Sequence, residues 1–435
     1  MNNPESQPAS PAPDFDSGPR SWRGFVSRPR VWAILVVVLL MVGFVGWFVR
    51  SVRIMRATAA TIDRLGGAVG YNWIWEEDGC PVEARPPDWM EVVLKAAGPD
   101  YFRRVVSLWG PRRVDDAFMA AAGRFPYLRL LELGESNEPA DVDHAFTDLG
   151  LADLRGLTEL RVLHLGRCGP GVTDAGLAHL KGLVQVEDLA LTCPGMTSAG
   201  LAALRDMGRL ETLRLSGSSV DDLAPIQHLR SLRRLDLRST PIGDAGLKPI
   251  AGMSDLEVLE LSGSRISDLG RAGVKNLANL IKLDLAGTSI TDAGLAPARG
   301  LVDLVELDLA DTKISDLRRA GLVGMTGLIR LDLSKTPVTD DGLAEVAALQ
   351  RLVELNLSKT RVTDAGLAAL RAQKRLTQLK LDDTRITDAG MTDLAGLTEL
   401  RTLSLNRTAI GDDGLRRLAS LDWLVELSLE GTRVT

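Results

Sequence analysis

The sequence predicts an α/β solenoid, with a parallel inner sheet and short outer helices, preceded by one transmembrane helix. Three observations lead to this fold class: an uncharged apolar run near the N terminus, leucines that recur every 24 residues, and a Leu-x-Leu triplet followed by a short amphipathic stretch in each unit. Because one unit cannot bury both of its faces alone, the units are stable only when they are stacked in series.

The N-terminal tail, residues 1–30, is rich in proline and poor in apolar side chains, which predicts disorder. Residues 31–49 read VWAILVVVLLMVGFVGWFV, an uncharged run of 19 residues that can cross a bilayer as a helix. Tryptophans near both ends suit the headgroup level, and arginines follow directly where a signal peptide would have its cleavage site. We therefore expect an uncleaved single-pass anchor.

The orientation of this anchor is not decided by charge, because four arginines shortly before the span are matched by four after it. A lone N-terminal span commonly serves as a signal anchor. This favours a short cytoplasmic tail and an extracytoplasmic solenoid.

Residues 50–100 differ in composition from the chain after residue 100 and are interpreted as a juxtamembrane region and N-terminal cap. A helical stretch through Ile62 and Leu65 is expected to stop at Gly66, and a second helix is expected to begin near Asp88. The tryptophans of this region would cover the open core of the first repeat. The alternative is an aromatic cage for a ligand. These tryptophans are Trp73, Trp75 and Trp89.

The solenoid itself is expected over residues 101–435 as about 13 repeats, the first weak and the last incomplete. In each repeat the Leu-x-Leu alternation predicts a strand whose leucines face one side, and stretches such as GLAALRAQKRL have the spacing of a short amphipathic helix. The pattern LxxLxL is clearest in the repeats that begin at Leu256, Leu280, Leu304, Leu328, Leu352, Leu376 and Leu400.

The unit LxxLxLxxTxITDAGLxxLxxL resembles the leucine-rich-repeat family, specifically its bacterial membrane-anchored members, and is more distantly similar to the solenoids of F-box proteins. The resemblance covers roughly residues 101–435. It implies a curved solenoid with a parallel sheet inside and short helices outside, and it implies no particular ligand.

Three recurring positions are interpreted as structural. Threonines stand where the family usually has an asparagine ladder, and their hydroxyls are expected to bond the backbone of the neighbouring turn: Thr288, Thr312, Thr336, Thr360, Thr384 and Thr408. Aspartates before the short helices are expected to cap free N–H groups, with a calcium ladder as the alternative: Asp268, Asp292, Asp316, Asp340, Asp364, Asp388 and Asp412. Glycines two residues later indicate tight packing or a special turn: Gly294, Gly366, Gly390 and Gly414.

The candidate binding residues form an acidic stripe. The residue between the two inward leucines points out of the concave sheet, and in five successive repeats it is acidic: Asp236, Glu260, Asp284, Asp308 and Asp332. Like charges on adjacent strands repel, and cations two residues earlier supply part of the compensation: Arg234, Lys282 and Arg330. Three interpretations stay open, namely a solvated and internally paired face, a docking strip for a basic protein segment, and a cation site. The stripe ends at Asn356 and Lys380.

The three cysteines cannot form a full disulfide framework and lack zinc-binding spacing. Cys168 and Cys193 fall in corresponding turns of adjacent repeats, so either a disulfide in an oxidising compartment or two buried thiols is consistent with the sequence. Cys80 stands apart from both.

No catalytic site, cofactor or metal site is expected. No phosphate-binding glycine loop occurs in the sequence. The four histidines lie in different repeats or turns without a matched nucleophile or metal-spaced partner: His144, His164, His179 and His228. A net charge of −6 argues against a general nucleic-acid binder.

The predicted function is a membrane-tethered, receptor-like or scaffolding module that binds a protein partner through its concave face. The alternative is a structural or self-associating envelope protein without a dedicated ligand. In that alternative the last repeat, which reaches Thr435 without a polar capping helix, would pair with a second copy of the chain.

Overall fold

The structure is a computed structural model that describes residues 29–73, 103–111, 113–133, 144–269 and 274–435. The chain divides into two compact units, Met1–Ala57 and Thr58–Thr435. The expected disorder of the tail lies outside the described residues except at Pro29 and Arg30, which are helical and begin α1 earlier than predicted. The expected helix near Asp88 lies outside the described residues, as do Trp75, Trp89 and Cys80.

Helix α1 spans Pro29–Arg64 and contains the apolar run predicted to form a helix. Within the described residues it is the one helix long and apolar enough to cross a membrane, with a mean hydropathy of 1.8 in its apolar window, which is 6% buried. The helix ends where the sequence predicted, because Gly66 adopts a left-handed φ of 84° and the Gly67 N–H donates to the carbonyl of Ile62 at 3.0 Å.

Fifteen strands in the described residues form one sheet in sequential order. Strands β1 and β2 are antiparallel, and from β2 onward every neighbouring pair is parallel. The strands are β1 (Ala68–Trp73), β2 (Arg103–Trp109), β3 (Leu130–Glu132), β4 (Val162–Arg167), β5 (Asp188–Thr192), β6 (Thr212–Arg214), β7 (Arg234–Asp236), β8 (Val258–Glu260), β9 (Lys282–Asp284), β10 (Glu306–Asp308), β11 (Arg330–Asp332), β12 (Glu354–Asn356), β13 (Gln378–Lys380), β14 (Thr402–Ser404) and β15 (Glu426–Ser428).

The predicted period sets the register of this sheet. Leu307 on β10 lies opposite Leu283 on β9 and Leu331 on β11, each 24 residues away. The leucines of neighbouring repeats therefore stack into a continuous apolar column. Leu283 and Leu285 are both 0% exposed, which confirms that alternate leucines of each repeat face the interior.

Short helices return the chain on the opposite side of each repeat. The α-helices of the described residues after α1 are α2 (Asp116–Ala122), α3 (Asp148–Asp153), α4 (Asp174–Leu177), α5 (Asp292–Leu295), α6 (Asp340–Leu343), α7 (Asp364–Leu367), α8 (Met391–Leu394) and α9 (Asp412–Arg417). Single 3-10 turns continue or replace them at Leu154–Gly156, Ala178–Gly182, Gly200–Leu204, Ala224–Ile226, Lys248–Gly252, Val274–Asn276, Ala296–Gly300, Leu322–Gly324, Ala344–Ala348, Ala368–Ala372 and Asp388–Gly390.

Five of the seven predicted aspartates bridge to the next repeat and do not cap their own helices: Asp292, Asp340, Asp364, Asp388 and Asp412. Asp316 accepts from the N–H of Arg319 in its own turn at 3.0 Å, which confirms the capping prediction at that position. Helix α6 is capped by the hydroxyl of Thr339, which accepts from Gly342 N–H. The carboxylate of Asp340 instead accepts from the N–H and the hydroxyl of Thr363 in the next repeat, at 2.7 and 2.6 Å. Threonine caps because its side chain precedes the helix, which leaves the carboxylate free to reach the following repeat.

The buried threonine ladder also bonds differently from the prediction. Thr288 is 5% exposed, and its hydroxyl donates at 2.6 Å to the carbonyl of Leu285, three residues earlier in its own turn. Thr336 and Thr384 repeat this bond. The hydroxyl is too short to reach the neighbouring turn, so each threonine stabilises its own repeat.

The predicted glycines lie where a side chain would not fit, so tight packing and not a special turn accounts for them. Gly366 has an ordinary φ, and a Cβ atom at this position would lie 2.4 Å from the carboxylate oxygen of Asp340. At Gly390 the corresponding contact is 2.5 Å from Asp364. The glycine therefore makes room for the aspartate that bridges the two repeats.

Cys168 and Cys193 form a disulfide, with their Cα atoms 4.6 Å apart. Both side chains are buried, at 2% and 0% exposure. The disulfide alternative left open by the sequence is the arrangement in the structure.

Candidate functional site

The five predicted site residues lie in one row on adjacent strands. Each strand puts one side chain between two buried leucines, and the register aligns Asp236 with Glu260, Glu260 with Asp284, Asp284 with Asp308 and Asp308 with Asp332. Parallel strands are about 4.8 Å apart, so the row is a closely spaced line of carboxylates. We call the solvent-facing side of the sheet the concave face, and this row the acidic stripe.

The N-terminal end of the stripe is compensated by a residue that the sequence reasoning missed. Arg238 donates from Nε and Nη2 to Asp236 at 3.0 and 2.8 Å and lies 3.8 Å from Glu260. The hydrogen bonds to Asp236 raise the pKa of Arg238. Among the described residues, the expected partner Arg234 forms no ion pair within 4 Å. The missed signal was the Asp-x-Arg spacing, which puts both side chains at the end of one strand.

The central three members, which we call the carboxylate triad, have weaker compensation: Asp284, Asp308 and Asp332. One oxygen of each accepts a backbone N–H two residues later, and Asp332 also accepts from Asn356 Nδ2 at 2.8 Å. Within the described ranges, no Lys or Arg nitrogen lies within 4 Å of any triad carboxylate. The second oxygen of Asp308 is therefore open to the groove.

Burial and neighbouring like charges raise the pKa of two members of the triad, Asp284 and Asp308. Partial burial raises the pKa of Asp308 to about 6, the N–H of Ala310 opposes this rise, and the charges of Asp332 and Asp284 add to it. Burial likewise raises the pKa of Asp284. Asp284 and Asp308 thus carry negative charge at a free-energy cost.

The cations nearest the triad are engaged by other carboxylates. Lys282 Nζ lies 2.8 Å from Glu260 and 4.0 Å from Glu306, and Arg330 pairs with Glu306 on the neighbouring strand. The row two positions before the stripe contains Lys282, Glu306 and Arg330 on successive strands. The opposite charges within this row therefore compensate one another. The sequence predicted Lys282 and Arg330 as partial compensation for the stripe. In the structure the stripe residue that Lys282 contacts directly is Glu260, and the charge of Lys282 also acts against the burial that raises the pKa of Asp284 and Asp308.

A groove of about 260 Å³ lies over this central region. Its lining includes the triad, Lys282 and Arg330, together with Lys380 at its C-terminal end. The groove is open to solvent and crosses several strands of the sheet.

A second polar cluster lies on the N-terminal strands of the concave face. His164 Nε2 is 3.1 Å from Asp188, His164 Nδ1 is 3.6 Å from Glu132, and Arg214 Nη1 is 2.8 Å from Asp188. Burial pushes the pKa of Asp188 upward, but the hydrogen bond from His164 and the charge of Arg214 outweigh it, so this pKa lies below its ordinary value. The sequence offered His164 no matched nucleophile or metal-spaced partner, and its partners in the structure are carboxylates from the neighbouring repeats.

Metal binding finds no support in the described ranges, where no group of three or more His, Cys, Asp or Glu side chains could hold a metal ion. Five of the aspartates for which a calcium ladder was the alternative are engaged by the next repeat, as Asp292 is by the N–H and hydroxyl of Ser315 at 2.8 and 2.7 Å. What the concave face offers chemically is a row of closely spaced carboxylates on adjacent strands.

Comparison with known proteins identifies the repeated unit. The leucine-rich-repeat family profile matches residues 228–251, 349–370 and 397–419. No curated protein matches the sequence.

Several solved structures have a similar fold. An internalin from Listeria monocytogenes is 25% identical, with a TM-score of 0.53, 63% of this chain covered and 82% of that chain. A leucine-rich-repeat protein from Leptospira interrogans is 18% identical, with a TM-score of 0.54 and coverages of 73% and 76%. The mouse RP105/MD-1 complex is 17% identical, with a TM-score of 0.54 and coverages of 76% and 60%.

These matches agree with the sheet register and the outer helices. The repeated unit is a leucine-rich repeat, and the chain has the fold of a leucine-rich-repeat protein with one apolar N-terminal helix.

Proposed function

We propose that the protein is a membrane-tethered scaffold that binds a basic segment of a protein partner on its concave face, through the acidic stripe Asp236, Glu260, Asp284, Asp308 and Asp332. The observation that carries this proposal is the carboxylate triad, which has no cation within 4 Å among the described residues and borders an open groove. A partner that brings positive charge would relieve the repulsion along the triad. RP105, which shares the fold, is seen in complex with MD-1.

The proposal does not assign a reaction to the protein. We expect no enzymatic activity and no cofactor, because the polar clusters of the concave face pair carboxylates with cations or with backbone N–H groups. The His164 cluster fits the same interpretation, as a polar network that stabilises the N-terminal strands.

Binding is tested by selecting a phage-displayed library of random 16-residue peptides against the full-length protein, which is held in nanodiscs. We expect Lys- and Arg-rich peptides to be enriched on the native protein and lost on the variant Asp284→Lys, Asp308→Lys, Asp332→Lys. The matched control Asp255→Lys, Asp303→Lys, Glu399→Lys changes the net charge equally at exposed sites away from the stripe and should retain them. Equal enrichment on both variants would remove the stripe as the binding site.

We further propose the domain division predicted from the sequence: a tail at 1–30, a membrane span at 31–49, a juxtamembrane cap at 50–100 and a solenoid at 101–435. The support is that α1 exposes its apolar side chains, with Leu39 at 69%, and that β1 lies at the N-terminal edge of the sheet. We also propose that the protein is a bacterial, membrane-anchored leucine-rich-repeat protein, because its repeats resemble those of that type.

For the orientation we propose that the solenoid is extracytoplasmic. The support is the Cys168–Cys193 disulfide, since such bonds persist in oxidising compartments. Protease added to intact cells should digest the solenoid and leave the tail, and complete protection until the cells are lysed would reverse the proposed orientation.

Self-association is the alternative function. Trp423 and Val425, beside β15, are 63% and 85% exposed, and such apolar surface favours pairing with a second copy. Light scattering of the full chain in detergent decides between the two states. A strict monomer would exclude self-association, whereas a dimer dispersed by Val425→Lys would support it.

A further inference from the structure

The partner segment is further specified by a second row on the sheet margin, three residues before the acidic stripe. In this row each residue's N–H donates to the carbonyl of the corresponding residue in the previous repeat, as Val305 does to Ile281 at 2.8 Å and Ile329 does to Val305 at 2.9 Å. The row is therefore in register from repeat to repeat, like the stripe itself.

The composition of this marginal row changes along the solenoid. In the N-terminal repeats it is charged, with Arg161, Glu187, Glu211, Arg233 and Glu257. In the next four repeats it is apolar and β-branched, with Ile281, Val305, Ile329 and Val353. The following repeat has Thr377. We call the four apolar residues the apolar row.

The apolar row and the carboxylate triad occupy the same repeats. Ile281, Val305 and Ile329 precede Asp284, Asp308 and Asp332 by three residues each, which is roughly 10 Å along a strand. Ile281 is 43% exposed, and the other three members of the apolar row are partly exposed. Apolar side chains thus replace charged ones directly before the strands whose triad carboxylates have no Lys or Arg nitrogen within 4 Å among the described residues, and they lie at the edge of the groove, outside its lining.

The strip between the two rows carries little net charge of its own. Lys282 is held by Glu260, and Arg330 is paired with Glu306. A partner lying across these strands therefore contacts three rows in turn. These are the apolar row, the strip whose charges are paired with one another, and the carboxylate triad. A polycation without apolar groups would leave the apolar row in water, and an apolar segment without cations would leave the triad uncompensated.

We propose that the segment bound by the concave face is amphipathic, with apolar side chains on the apolar row Ile281, Val305, Ile329 and Val353 and Lys or Arg side chains on Asp284, Asp308 and Asp332. The inference rests on the proposed function and specifies the partner of that same surface. The segment runs across the strands, because both rows do.

The test uses three fluorescent 12-residue peptides on the full-length protein in nanodiscs of zwitterionic lipid, with binding to empty nanodiscs subtracted. One peptide combines Lys and Leu, one replaces every Leu by Ser, and one replaces every Lys by Asp. Fluorescence anisotropy should give the lowest Kd for the Lys/Leu peptide, about tenfold weaker binding for Lys/Ser, and no binding for Asp/Leu.

The decisive variant is Val305→Thr, Ile329→Thr, since Thr377 occupies the same position naturally and the fold accepts it. We expect it to weaken the Lys/Leu peptide about tenfold and to leave Lys/Ser unchanged. The control Val184→Thr, Val302→Thr alters exposed valines outside the apolar row and should change neither Kd. Circular dichroism checks that each variant keeps its melting temperature.

The outcomes separate the two proposals. Equal binding of Lys/Leu and Lys/Ser, unaffected by Val305→Thr, Ile329→Thr but lost with Asp308→Lys, overturns the amphipathic partner and leaves a purely charged docking strip. If no peptide binds, or if Asp308→Lys leaves every Kd unchanged, both the inference and the proposed function fail.

Discussion

Gln373 is a polar residue in the leucine core. It is 1% exposed at a position where neighbouring repeats have Leu349 and Leu397, and its Nε2 donates to the carbonyl of Val346 at 2.7 Å. Its Oε1 has no partner among the described residues. The Val346 carbonyl also accepts from Leu349 N–H at 2.9 Å, so it does not depend on Gln373.

We therefore expect Gln373→Leu to stabilise the solenoid by about 1 kcal/mol, because it removes a buried acceptor without leaving a new one. The measurement is the melting temperature by circular dichroism. Gln350→Leu, at an exposed position, is the control and should have little effect. A lower melting temperature for Gln373→Leu would show that the amide group stabilises the core.

Asp308 should make stability depend on pH. Burial raises its pKa to about 6, above the unfolded value, so protonation favours the folded state. Its destabilising effect is complete above about pH 7 and is lost as the pH falls through about 6. Since the side chain is partly exposed, we expect Asp308→Asn to gain only about 1 kcal/mol at pH 7.5.

In a series of thermal melts that gain should stay constant down to about pH 7 and then shrink as the pH falls through about 6 to 4.5. Asp303→Asn removes an exposed carboxylate from the same repeat and should show no such trend. A constant difference between native protein and Asp308→Asn at all pH values would contradict the raised pKa.

At the scale of elements, the bond between one repeat's aspartate and the next repeat's threonine links the outer helices. Asp340→Ala leaves the N–H and hydroxyl of Thr363 without their acceptor, and we expect a loss of about 2 kcal/mol. Asp341→Ala, one residue later at an exposed position, is the matched control and should cost less than about 0.5 kcal/mol. Equal melting temperatures for the two variants would show that the bridge contributes nothing.

At the scale of the whole molecule, α1 is expected to hold the chain in a bilayer. Leu39 and Leu40 are 69% and 68% exposed, and an arginine at the centre of a span costs about 2.5–3.5 kcal/mol. Leu39→Arg, Leu40→Arg should therefore shift the protein from the membrane pellet to the supernatant on alkaline carbonate extraction. Leu39→Ala, Leu40→Ala should stay in the pellet, and release of the native chain would contradict a membrane span.

The sequence by itself determined the backbone framework. Leucines 24 residues apart, such as Leu283, Leu307 and Leu331, lie opposite one another because stacked repeats bury most apolar surface when their periods align. The same alignment brought the five members of the acidic stripe into one row. Gly66 could be identified as the end of α1 because a left-handed residue there suits glycine.

Only the tertiary structure decided which side chains pair. Asp340 accepts a hydrogen bond from Thr363 and does not cap its own helix. Arg238 donates to Asp236, and His164 contacts Asp188 on the neighbouring strand. These partners are up to a full repeat apart in sequence and compete with alternatives of the same charge. A periodic pattern sets where each backbone lies, whereas the choice among nearby partners depends on side-chain length and direction within a few ångströms.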